Sequence, residues 1–193
     1  MKKKIFITGS SGFIGFHLSR SLLNKGVKVH GFDSMNNYYD IKLKVSRLKI
    51  LKQYKNFTFT KNNLENIKSL EKSILKFKPN YIIHLAAQAG VRYSIDEPRK
   101  YVNTNIIGTF NIIELAHKLN VKHLLIASSS SIYGSNKLKK CKETDKADNQ
   151  LSVYAATKKS SESIAYSYSS LWNLPITVLR FFTVYGPWGR PDM

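Results

Sequence analysis

Ile5-Phe6-Ile7-Thr8-Gly9-Ser10-Ser11-Gly12-Phe13-Ile14-Gly15 joins a short apolar run to an amphipathic one through three glycines spaced GxxGxxG. The apolar run predicts a β-strand, and the pattern over 13–24, closed by Lys25-Gly26, predicts a helix. In that setting Gly9 makes a tight turn, Gly12 lets backbone approach a pyrophosphate, and Gly15 lets helix and strand pack closely. The helix N-terminus then faces the phosphates. The glycine pattern alone also fits an ordinary strand–helix turn, so its surroundings decide. Asp33 closes the second apolar run. A carboxylate there bonds both hydroxyls of a ribose and repels a 2′-phosphate. No arginine follows in Ser34-Met35-Asn36-Asn37, so the expected cofactor is NAD rather than NADP. A plain turn residue after a strand is the competing reading of Asp33.

Outward from this stretch, continuous apolar runs at 4–8, 27–32, 57–61, 81–86, 123–128 and 176–182 alternate with helical patterns at 13–24, 40–54, 64–77, 102–119 and 154–171. Runs without polar alternation suit parallel strands covered on both faces. In the second helix Leu43, Leu48 and Leu51 form the expected apolar side, set against lysines. The expected fold class is α/β, a Rossmann-like doubly wound parallel sheet in the order 3-2-1-4-5-6. The expected division is a dinucleotide-binding domain over 1–182 and the start of a substrate-binding region over 183–193, with the rest of that region missing.

Of the 193 residues, 31 are Lys or Arg and 12 are Asp or Glu, a formal charge of +19. The lysines are spread along the chain rather than gathered in a patch, and no nucleic-acid motif is present, so no nucleic-acid partner is expected. A positive field also steers anionic nucleotides inward. The single cysteine, Cys141, lies in a polar stretch read as loop over 137–149, and suits a reducing, cytoplasmic setting without disulfides. Met1-Lys2-Lys3-Lys4 followed by an apolar run imitates a signal peptide, but the run breaks at the glycine turn. No stretch approaches a membrane span, so no membrane partner is expected, and no metal site is expected.

Tyr154 and Lys158 stand four apart on a predicted helix and share a face. An ammonium beside a phenol favours the phenolate, which can then exchange protons with a hydroxyl near neutral pH. The same spacing fits a surface pair. Ser128-Ser129-Ser130-Ser131-Ile132-Tyr133-Gly134 lies at the carboxyl end of the fifth predicted strand. It reads as a hydrophilic loop or as a source of a hydroxyl for the reacting oxygen.

Together these motifs, in this order and over nearly the whole chain, resemble the extended short-chain dehydrogenase/reductase superfamily, in its NAD-dependent sugar-nucleotide epimerase/dehydratase branch. The resemblance implies that Tyr154 is the catalytic base, that Lys158 is its partner and holds the nicotinamide ribose, and that Ser129 supplies the catalytic hydroxyl. It implies a cofactor site of Gly9, Gly12, Phe13, Ile14, Gly15, Asp33, Asn36, Asn63, Leu64, Leu85, Ala86, Ala87, Gln88 and Asn105, with Tyr154 and Lys158. Asn63 stands where the family usually has an aspartate facing the adenine amino group; its amide oxygen can still accept that bond.

Three segments look typical of UDP-glucuronate 4-epimerases: Phe32 to Asp40, Ala87 to Ser94, and Arg180 to Met193. By that resemblance the substrate is a UDP-sugar with a uronic acid, held by Arg92, Ser94, Ser129, Ser130, Ser131, Tyr154, Thr183 and Arg190. The implied reaction oxidises C4 and re-reduces it on the other face through a transient 4-keto sugar. That species is a β-keto acid, so clamping its carboxylate away from the orbital alignment for decarboxylation matters. Arg190 and Thr183 are the implied clamp, a guanidinium matching two carboxylate oxygens. Ser131 occupies a position where related decarboxylases look to carry a glutamate. A decarboxylase or dehydratase of the same superfamily, or a non-catalytic NAD-binding fragment, is the alternative. A homodimer through a four-helix interface of the helices at 102–119 and 154–171 is a further family expectation. Small residues Ala155, Ala156, Ser160, Ser161 and Ser163 would permit close approach.

Overall fold

The computed structural model describes residues 3–135 and 140–189. Arg190 and part of the loop expected at 137–149 lie outside them. Six strands, β1 (Lys4–Thr8), β2 (Lys28–Asp33), β3 (Phe57–Lys61), β4 (Tyr81–His84), β5 (His123–Ser129) and β6 (Ile176–Phe181), form one sheet in the order β3-β2-β1-β4-β5-β6. Every pairing is parallel. The connecting helices are α1 (Phe13–Asn24), α2 (Ile41–Leu51), α3 (Ile67–Phe77), α4 (Tyr93–Asp96), α5 (Pro98–Tyr101), α6 (Gly108–Lys118) and α7 (Val153–Trp172). The chain is a Rossmann-like doubly wound domain, and the order reverses between β1 and β4, where such sheets open a crevice.

The central strands β1 and β4 have no polar alternation because both faces are covered, whereas β3, at the edge, alternates as Phe57-Thr58-Phe59-Thr60. Phe6 and Ile82 point into one core with Ile112, Ile113 and Ala165. Their neighbours Ile5, Ile7 and Ile83 point into another with Phe16, Val29 and Leu51. The starts of α2 and α3 fall slightly inside the sequence expectation because capping residues stand outside the helix proper. Asp40 accepts from the Lys42 N–H and Asn66 from the Ser69 N–H, so α2 begins at Ile41 and α3 at Ile67. On α2 the fully buried positions are Lys44, Arg47 and Leu51. Of the apolar side expected for this helix, Leu51 lies in the core and Leu48 packs half-buried against it, while Leu43 is half-buried.

Two departures bear on the cleft. The helix expected over 102–119 opens with a π-helical turn, Val102–Ile107, before α6. Asn105 lies inside this turn, and its freed carbonyl accepts from Ser161 Oγ at 2.9 Å. Second, β4 stops at His84 because the next two amides turn onto a side chain: Leu85 N and Ala86 N donate to Thr8 Oγ1 at 3.2 and 3.1 Å. The Thr8 hydroxyl proton is thereby directed to His84 Nδ1 (2.7 Å), leaving Nε2–H to donate to Thr109 Oγ1 (2.9 Å). One neutral imidazole thus ties β1, β4 and α6 together beneath the glycine turn.

Burial holds His84 neutral, its pKa pushed down to about 3 with help from nearby Lys158. His30, buried between Phe6 and Phe77, is lowered to about 4, mainly by burial and then by Lys76. Both imidazoles ionise at about 6.5 when unfolded. Their contribution to stability is therefore whole above pH 6.5 and is lost as pH falls towards their folded values. Denaturant titrations should show stability falling by about 2–3 kcal/mol per pH unit between pH 6 and 4.5, from two such groups. A flat profile over that range would contradict the neutral, buried state of both rings.

Candidate active site

A cleft of about 720 Å³ runs along the carboxyl edge of the sheet. Its floor is the glycine turn. Gly9 has φ +71, and a Cβ there would sit 2.7 Å from Ala86 N. A Cβ on Gly15 would collide with the carbonyl of Gly9. The turn is closed by Gly12 N donating to Gly9 O (3.0 Å), and Gly9 N donates across to Phe32 O (2.8 Å). No side chain caps α1. Its N-terminus therefore offers backbone donors and the positive end of the helix dipole to an anion.

Asp33 is buried at the end of β2 with its carboxylate pinned: Oδ2 accepts from Ser11 N (3.0 Å) and Oδ1 from Met35 N (2.9 Å). The bond from Ser11 holds it against the glycine turn, where a ribose following the pyrophosphate would lie, and the local bond from Met35 fixes the other oxygen. A cradle that only glycine fits, an uncapped helix terminus and a fixed carboxylate are together the donor and acceptor set that NAD requires.

Lys158 is buried on α7, its Nζ donating to Ala127 O of β5 at 2.8 Å. Burial pushes its pKa down to about 8, which still leaves it protonated at pH 7. Of the two neighbouring buried bases, the lysine keeps its proton and His84 does not. Tyr154 lies one turn earlier and meets Tyr101 edge-on, ring centroids 6.1 Å apart. Thr157 Oγ1 donates to the Tyr154 carbonyl (2.8 Å). Ser129 is buried at the end of β5, where its Oγ accepts from Ser131 N and donates to Ser131 Oγ, both at 3.2 Å.

The cleft brings together most of the residues singled out in the sequence. Gly9, Gly12, Phe13, Ile14 and Gly15 line it with Asp33, Asn36, Asn63 and Leu64 at one end. Leu85, Ala86, Ala87 and Gln88 form the wall after β4, while Ser129, Ser130, Ser131, Tyr154, Lys158 and Thr183 line the other end. Asn105 stands behind this wall: its Oδ1 accepts from Gln88 N (2.8 Å), and its Nδ2 donates to Gln88 O (3.1 Å) and Thr157 Oγ1 (3.0 Å). It fixes the β4 loop against the helix that carries Tyr154 and Lys158. Arg92 is exposed, and Ser94 is buried with its Oγ donating to Val91 O (2.6 Å); neither lines the cleft. Arg190 lies outside the described residues.

Sequence reasoning passed over Lys44, whose buried ammonium donates to Asn36 O (2.9 Å) and Oδ1 (2.5 Å) at the cleft wall. A signal existed: Lys44 shares a helix face with Leu48 and Leu51, so a lysine occupied a position where packing called for an apolar residue. Tyr38, Tyr93 and Lys100 also line the cleft, Lys100 Nζ donating to Tyr93 Oη at 2.8 Å. Among the described residues no group of three or more His, Cys, Asp or Glu could hold a metal ion, and no helix is long and apolar enough to cross a membrane.

A parallel doubly wound sheet with a dinucleotide cradle beside a Tyr-x-x-x-Lys helix is the arrangement of the short-chain dehydrogenase/reductase type. The chain belongs to the family described as GDP-mannose 4,6 dehydratase, whose family model matches residues 6–192. It is 54% identical over 190 residues to Protein CapI of Staphylococcus aureus, covering 98% of this chain and 57% of that protein. It is 50% identical over 190 residues to a probable UDP-glucuronate 4-epimerase of Rhizobium meliloti, covering 98% of this chain and 56% of that protein. Among solved structures it is similar to the UDP-glucuronic acid 4-epimerase of Bacillus cereus in complex with UDP-glucuronic acid and NAD: TM-score 0.90, 34% identity, 98% of this chain and 60% of that one. The chain thus spans little more than half the length of the curated relatives it matches.

Lys158 supplies a prediction of its own. Its pKa is near 8 folded and near 10.5 unfolded, so burial of the ammonium destabilises the fold below pH 8, and the penalty fades as pH rises towards 10.5. Lys158→Met should therefore gain stability relative to wild type at pH 7. That relative gain should shrink by about 2–3 kcal/mol by pH 10 in paired denaturant titrations. A difference between the two proteins that does not change with pH would contradict the burial.

Proposed function

We propose that the complete protein is an NAD-dependent epimerase that converts UDP-glucuronate to UDP-galacturonate. The observation that carries this reading is the convergence of Tyr154, Lys158 and Ser129 at one end of the same cleft whose other end is the glycine turn and Asp33. The similarity to UDP-glucuronate 4-epimerases supports the choice of substrate.

In this reading the glycine turn and the α1 N-terminus receive the pyrophosphate, and Asp33 takes the adenosine ribose hydroxyls. NAD, when bound, supplies a hydride acceptor that returns the hydride within the same turnover. Lys158 holds the nicotinamide ribose and, through its positive charge, favours the phenolate of Tyr154. Tyr154 removes the proton of the sugar 4-hydroxyl as C4 is oxidised and gives it back when C4 is reduced on the opposite face. The Ser129 hydroxyl holds the reacting oxygen. Thr183, in the cleft wall past β6, and Arg190 further along hold the uronate carboxylate, keeping the 4-keto intermediate from losing carbon dioxide. Ser131, in the cleft lining, leaves no carboxylic acid at that position to assist decarboxylation.

We also propose that the protein pairs through α6 and α7. Phe110, Tyr166, Leu171 and Trp172 on these helices are large and exposed. Trp172→Glu together with Leu171→Glu should shift the sedimentation of the complete protein from dimer to monomer; an unchanged dimer would rule this face out.

The test of the chemistry is Tyr154→Phe in the complete protein. Turnover of UDP-glucuronate, followed by chromatography of the UDP-sugars, should fall at least about a thousandfold, while NAD stays bound. Turnover within a few-fold of wild type would overturn the assignment of the base. Release of carbon dioxide with a UDP-pentose as the wild-type product would overturn the assignment of the reaction.

A further inference from the structure

Arg47 is fully buried on α2, and among the described residues it has no carboxylate partner. Burying a cation against neutral groups costs several kcal/mol, and an apolar residue would fill the position at no such cost, as Leu51 does one turn on. What Arg47 joins explains its presence. On one side Nη1 donates to the Ser11 carbonyl (3.0 Å) and to Tyr39 Oη (2.7 Å). On the other side Nη2 donates to the Trp188 carbonyl (2.5 Å) and reaches that of Gly189 (3.5 Å). Nε has no partner.

Ser11 belongs to the glycine turn. Trp188 and Gly189 belong to the segment past β6 that also carries Thr183. That segment is docked on α1 by two more contacts: the Trp188 ring against Phe16, centroids 5.7 Å apart, and His17 Nε2 with the Pro187 carbonyl at 2.9 Å. Trp188 has φ +64, a left-handed conformation that a bulky side chain adopts only when its surroundings impose it. Its carbonyl is the one that Arg47 grips most closely.

We propose that Arg47 is a positioning residue that locks the glycine turn to the segment after β6, so that the cofactor side and the substrate side of the cleft fix each other's geometry. Arg47 does not line the cleft. By drawing the Ser11 carbonyl towards α2, it keeps that partial negative charge away from the place of a pyrophosphate. By holding the Trp188 and Gly189 carbonyls, it sets the direction of the segment that begins at Thr183. A planar fork with donors on two nitrogens can bridge the two segments; a single ammonium serves one or the other. This inference rests on the NAD and UDP-uronate reading of the cleft.

The test uses the complete protein in a Tyr154→Phe background, where bound sugar is not turned over, with Arg47, Arg47→Met or Arg47→Lys. Calorimetry gives the dissociation constants of NAD and of UDP-glucuronate in the NAD-loaded protein, and thermal melting gives stability. Arg47→Met should weaken both ligands by at least about fivefold, because one residue serves both sides. Arg47→Lys should retain the melting temperature and fall between the two. Loss of affinity for only one ligand, or for neither, overturns the proposal. If Arg47→Met does not fold, Arg47→Lys decides by the same criterion. If the protein with Arg47 intact binds neither ligand, the functional reading itself has failed, and the coupling falls with it.

Discussion

An ammonium group stripped of water, hydrogen-bonded to one carbonyl of the central sheet, is the constraint around which the cleft is built. Lys158 reaches the Ala127 carbonyl from α7, which fixes the register of that helix against β5 and so the place of Tyr154 one turn earlier. Burial penalises the charge but leaves it intact at neutral pH. The nearest competing base, His84, is kept neutral and spends its two nitrogens on threonines. The result is one localised positive charge at the end of the sheet, beside a phenol and facing a cradle for a dinucleotide.

The electrostatics of the interior repeat this theme. Among the described residues the buried charged side chains are Asp33, Lys44, Arg47 and Lys158, three cations against one carboxylate. Asp33, Lys44 and Lys158 line the cleft, and Arg47 braces its floor from behind. Spread along the sequence, the excess of lysine and arginine looks like a solvated surface. Folded, a small part of it is gathered along the cleft, where a dinucleotide's pyrophosphate would bring two negative charges.

The fold was legible because its signals are local and repeated. Both faces of the central strands are covered, so apolar runs such as Ile5-Phe6-Ile7 stand out, and helices of three turns or more between them leave only a parallel topology. The glycine turn and Asp33 were legible because backbone geometry admits few residue types there. Three things were hidden. The four-residue helices α4 and α5 are each little more than one turn, too short to show a period, although Pro98 at the start of α5 was a cue. The π-helical turn depends on Asn105 finding Gln88 and Thr157, partners far apart in sequence. Lys44 was read with the other lysines as the solvated side of an amphipathic helix, because charge normally marks the wet face, and Arg47 carried no signal of its own. Their partners, Asn36 and the carbonyls of Ser11 and Trp188, are set by tertiary structure alone.

The ionisation of Tyr154 tests the account most directly. In the complete, NAD-bound protein, ultraviolet difference titration of wild type against Tyr154→Phe isolates that one phenol. Tyr154 should ionise below the ordinary tyrosine value of about 10, and Lys158→Met should move the titration back up. A phenol that titrates with the bulk tyrosines, unmoved by the loss of Lys158, would contradict the account.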